Sequence, residues 1–128
     1  MGTGTNLGRV RGLGSAKHGA QHWWHQRVTA GANLFLMLWF MLSVARLPAY
    51  DYESIRLWLS SAWVAMPLVL LVLSVFYHFR LGLQVVIEDY QHGESRFALM
   101  LLLNFFVVAT AAVALFSILK IAFAGVPV

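Results

Sequence analysis

The sequence predicts an all-α membrane protein: three transmembrane helices, the N-terminus cytoplasmic and the C-terminus periplasmic. Three observations predict it. Of the 128 residues, 60% are hydrophobic and 11% charged, against roughly 45–50% and 25% in ordinary globular chains. Three apolar runs approach or exceed the roughly 20 residues that cross a bilayer core. Positive charges gather on alternate flanks of those runs. A soluble protein of this size must cover most of its surface with polar groups, and nine Lys and Arg with five Asp and Glu do not suffice. The apolar content excludes a disordered chain, and zero cysteines exclude a disulfide-stapled secreted module. They also remove iron–sulfur clusters and thiolate zinc sites from what this chain binds alone.

The chain reads as one membrane domain over residues 1–128, opening with a cytoplasmic arm over 1–27. Gly2, Gly4, Gly8, Gly12, Gly14 and Gly19 suggest an irregular segment along a surface. No apolar run starts before about residue 28, so a cleaved signal peptide is not expected. Nor do the glycines take the spacing of a dinucleotide- or phosphate-binding loop. The first helix is expected over about 28–47, where an uncharged run ends at Arg46, Leu47 and Pro48. The second is expected over about 61–89, uncharged as far as Phe79. Its Pro67 falls in the first two turns, where a missing N–H costs little. The third is expected over about 97–119, again without a charge. Spanning backbone must satisfy its own hydrogen bonds, so these segments are helices and not strands.

Arg9, Arg11, Lys17, Arg27, Arg80 and Arg96 fall on one side of the membrane, and Arg46, Arg56 and Lys120 on the other. Six against three places the N-terminus inside. Trp23 and Trp24 at one edge, with Tyr50, Tyr52, Trp58 and Trp63 near the other, suit aromatic belts at the two interfaces. The net charge of +4 therefore reads as topology. The expected partner is a lipid bilayer, with no nucleic acid, because a basic face interleaved with aromatics is missing.

Candidate chemistry centres on residues 77–90. His78 ends an uncharged run, where a polar ring needs a reason. On a helix Gly82 lies one turn along on the same face, leaving a flat gap beside the imidazole that a porphyrin edge could fill. Asp89 returns to that face roughly 16 Å nearer the cytoplasm. Asp89 and Tyr90 thus offer a carboxylate and a phenol at the interface below an imidazole at membrane depth. The alternative is plainer: His78 hydrogen-bonding to a neighbouring helix, Asp89 in a solvated loop, Tyr90 as an interfacial anchor. Arg27 stands where the first helix enters the bilayer. It suits a heme propionate, or equally a topology charge against lipid phosphate. His18, His22 and His25 share a helical face at spacings of four and three, a metal-binding pattern. With no acidic residue before Asp51, interfacial histidines beside a tryptophan belt are the expected case. Asn33, Asn104 and Thr110 read as polar glue between helices.

The stretch His78-Phe79-Arg80-Leu81-Gly82-Leu83-Gln84-Val85-Val86-Ile87-Glu88-Asp89-Tyr90 resembles the signature of the succinate dehydrogenase hydrophobic membrane anchor subunits, the smaller anchor chains (cytochrome b556-type) of bacterial respiratory complex II. The segment from His22 to Ala30 is similar to the family's stretch before its first helix. The resemblance implies that His78 is an axial ligand of a b-type heme and its iron, shared with a second hydrophobic anchor subunit that supplies the other histidine. It implies Arg27 at the heme propionates, Tyr90 hydrogen-bonding ubiquinone and Asp89 beside it. The implied partners are that cytochrome b chain, an iron–sulfur subunit and a flavoprotein subunit, in the bacterial inner membrane. The chain would be non-catalytic alone, with no catalytic residue of its own. A fumarate reductase anchor, or a structural small membrane protein without redox chemistry, are the alternatives.

Overall fold

A computed structural model describes residues 18–124, and no strand occurs among them. Four helices follow one another: α1 (Gly19–Ala45), α2 (Tyr52–Ser60), α3 (Ala62–Tyr90) and α4 (Gly93–Ala124). By length and composition α1, α3 and α4 can each cross a membrane, which is the three-span, all-helical architecture expected. Of the glycines in the arm, all but Gly19 lie outside the described residues.

The arrangement is an open layer with α3 in the middle. Helices α1 and α4 each pack along α3, and among the described residues they do not touch one another. The buried residues are Ala65, Leu68, Leu71, Leu81 and Ile87 of α3 with Leu103 and Val107 of α4. No residue of α1 is buried. Among the described residues Ile87, Leu103 and Val107 form a core cluster, with Phe76 and Met100 against it. So thin a core would not hold a soluble domain. In a bilayer the apolar outer faces need no polar cover, and helices associate through packing and a few interhelical hydrogen bonds.

The helices run past the apolar segments that announce them. α1 starts at Gly19 and not near residue 28, because Gln21, His22, His25 and Gln26 are compatible with helix even though they are not apolar. The stretch 19–27 is therefore helical and not irregular. α3, at 29 residues, is about 44 Å long, so its end projects beyond a hydrocarbon core of about 30 Å. Only Gln91 and His92 separate it from α4, and Gly93 takes a φ of 65° there, a conformation glycine adopts without strain. The short amphipathic α2 is not foreseen by the apolar runs. Asp51 stands at its N-cap position and Glu53 in its first turn, both favourable at a helix N-terminus. Trp58 ties it to α1 by donating its Nε1–H to Ser43 Oγ at 2.9 Å.

Arg80 corrects the charge reading, which counted it among the topology charges: it lies within α3, and its Nε donates to Asn104 Oδ1 of α4 at 2.6 Å. A charge within a membrane helix is kept where it finds an internal polar partner. Without it the positive bias is five against three, in the same direction. Asn104 is thus interhelical glue as expected. Thr110 is not, since its hydroxyl turns back on the Phe106 carbonyl of its own helix.

Candidate cofactor cleft

An open cleft of about 550 Å³ lies between α1 and α3. His22, Gln26 and Ala30, one turn apart on α1, form one wall; His78, Gly82 and Val85 of α3 form the other, with Arg27 at its edge. Helical periodicity builds both walls, since residues four apart stack on one face.

His78 is half-buried in α3. Its Nδ1 lies 3.0 Å from Thr29 Oγ1 across the helix pair. Thr29 also approaches the carbonyls of His25 at 2.8 Å and Gln26 at 3.2 Å. One turn before His78, Ser74 donates to the Thr29 carbonyl at 3.4 Å. At Gly82 a methyl group would meet only Gln26 Nε2, at 3.7 Å. That is ordinary contact, so packing within this chain does not demand glycine; its effect is to keep the cleft open beside the imidazole.

Two polar atoms of the cleft residues, His22 Nε2 and Gln26 Oε1, are buried without a hydrogen-bond partner. Such groups are costly and usually find one, so the cleft suits an occupant with polar substituents. Arg27 is exposed, with its guanidinium carbon 5.2 Å from the centre of the Trp23 ring. Among the described residues it joins neither ion pair.

The three clustered histidines do not converge. His25 turns to Tyr77, whose hydroxyl lies 2.9 Å from His25 Nδ1, while His22 lines the cleft. No group of three or more His, Cys, Asp or Glu able to hold a metal ion occurs among the described residues.

Asp89 and Tyr90 end α3 and do not line the cleft. Both are exposed, Tyr90 to 77%. Neighbouring Glu88 is engaged by Gln84 Nε2 at 3.0 Å and by Arg96 at 3.4 Å, whereas Asp89 joins neither ion pair among the described residues. The structure therefore gathers His78, Gly82 and Arg27, and sets Asp89 and Tyr90 apart at the helix end. Sequence reasoning missed Thr29. Its signal is a lone β-branched hydroxyl one turn after His25, at the start of an apolar run.

An imidazole donor, a side-chain-free strip beside it, a cation at the rim and two unpartnered polar atoms fit one half of a porphyrin site. On its other side the cleft is open. Gly82→Leu is accordingly expected to fill the gap and abolish cofactor retention while the helices persist. Circular dichroism and cofactor content of the purified protein check this.

The family described as succinate dehydrogenase/fumarate reductase transmembrane subunit matches residues 1–117. A succinate dehydrogenase hydrophobic membrane anchor subunit from Paracoccus denitrificans is 31% identical over 119 residues, covering 93% of this chain and 92% of that protein. One from Rickettsia conorii is 33% identical over 104 residues, 80% of this chain and 82% of the relative. One from Rickettsia bellii is 37% identical over 82 residues, 64% and 66% of the two. No solved structure matches the chain.

Proposed function

The chain belongs to the succinate dehydrogenase/fumarate reductase transmembrane subunit family, and from that premise we propose that it is the smaller membrane anchor of a succinate:ubiquinone oxidoreductase in the bacterial inner membrane. It would share a b-type heme with a second hydrophobic anchor subunit, contribute to a ubiquinone site, and hold the iron–sulfur and flavoprotein subunits at the cytoplasmic face. The observation that carries this reading is the meeting of His78, Gly82 and Arg27 in one cleft open on its far side.

Each residue then has a task set by its chemistry. His78 offers a ring nitrogen to the heme iron. Gly82 would leave room for that group beside the imidazole. Arg27, with its planar guanidinium, would pair with the propionate carboxylates. With His78 and a donor from the second anchor subunit to hold it, a b-type heme would supply one-electron chemistry there. Tyr90, at the projecting end of α3, donates its phenolic O–H to a quinone carbonyl and so favours the charge that develops on reduction. The exposed carboxylate of Asp89 beside it can carry a proton between water and that site. Substrate oxidation itself lies with the soluble partners, which fits a chain without cysteine.

Purification through a tag on this chain tests the proposal. The expected preparation contains a flavoprotein, an iron–sulfur protein and a second apolar chain, with b-type heme. A chain that purifies without any of them contradicts the assignment and favours a structural membrane protein.

A further inference from the structure

We propose that Thr29 is a positioning residue for His78: its hydroxyl holds the imidazole as the Nδ1–H tautomer and so reserves Nε2 for the metal. The inference rests on the heme-ligand reading of His78. It follows from counting protons. A threonine hydroxyl has one proton to donate and can also accept. Thr29 Oγ1 lies 2.8 Å from the His25 carbonyl oxygen, 3.2 Å from the Gln26 carbonyl oxygen and 3.0 Å from His78 Nδ1.

Carbonyl oxygens only accept, and 2.8 Å is the usual length of an O–H···O bond. Were the hydroxyl proton turned to Nδ1, that contact would set two oxygens against each other with no hydrogen between them. The proton therefore goes to the backbone, as threonine in a helix commonly arranges. Toward His78 the oxygen can only accept, so Nδ1 carries the hydrogen. Nε2, which has no hydrogen-bond partner among the described residues, keeps its lone pair.

The ring is also held in place. The branched Thr29 side chain has few rotamers in a helix, and Ser74 ties the same turn of α1 to α3 through the Thr29 carbonyl at 3.4 Å. Metal-bound histidines characteristically donate their other N–H to such an acceptor, which fixes orientation and makes the ligand more basic. A more basic ligand favours ferric over ferrous iron, so Thr29 lowers the heme potential.

Thr29→Val keeps the shape and removes the acceptor; Thr29→Ser keeps the acceptor. The test is a redox titration of the b-type heme in the purified complex, with low-spin electron paramagnetic resonance of the oxidised form. Thr29→Val is expected to raise the midpoint potential and displace the low-spin signal, or to lose heme, while Thr29→Ser keeps the native values. Native values in Thr29→Val overturn the proposal. So does a Thr29→Ser complex altered as much as Thr29→Val, which would mark a packing role. His78→Ala in parallel separates the two claims. A heme signal lost there but native in Thr29→Val removes only the Thr29 role, whereas a native signal in His78→Ala removes the ligand reading itself.

Discussion

Tyr90→Phe is expected to lower succinate–quinone activity on the order of tenfold or more while leaving succinate oxidation by artificial dye acceptors close to the native rate. The size follows from one hydrogen bond. A site that loses a donor facing a quinone oxygen forfeits about 1–3 kcal/mol, and each 1.4 kcal/mol or so is about tenfold. Its specificity follows from where Tyr90 sits. The side chain is 77% exposed at the end of α3, and its hydroxyl bonds to nothing among the described residues. Surface changes of this kind usually alter stability by within about 0.5 kcal/mol, so assembly and heme content should be unaffected. Steady-state assays with a soluble ubiquinone and with a dye that accepts from the soluble subunits check this. Equal loss of both activities would remove Tyr90 from the quinone site.

The three spans are legible because a bilayer imposes a demand that few sequences meet by accident: long uncharged runs whose backbone must be helical. The ends of the spans are less legible, because helix formation does not stop where hydrophobicity does. Gln21 to Gln26 extend α1 ahead of its apolar run, and Glu88 to Tyr90 extend α3 beyond its own. Helix α2 escaped because its nine residues are too short and too polar to register as a span. Asp51 and Glu53 were the local signals of its start.

Within the cleft, the pairing of His78 with Gly82 could be read from a spacing of four on one helix. The contact of Arg27 with Trp23 has the same spacing. What the sequence could not show is which residues face each other across helices. Thr29 and His78 are 49 positions apart, and Arg80 and Asn104 are 24 apart. Charge count alone set Arg80 among the topology charges, whereas its side chain bonds across to α4. Such pairings depend on the rotation of each helix about its axis, set by packing and not by any local pattern.

His78→Ala has the other large expected effect. The substitution removes the proposed iron donor on this side of the cleft, while α3 keeps its buried contacts through Leu71, Leu81 and Ile87. Thr29 retains its bonds to the His25 and Gln26 carbonyls. Alanine is also the best helix former, so the helix pair should persist and the defect should be confined to the heme. The measurement is the reduced-minus-oxidised visible spectrum of the complex purified through this chain, native and His78→Ala side by side. The account predicts a low-spin b-type spectrum in the native complex that is lost or strongly shifted in the variant. The same native spectrum in both would contradict it.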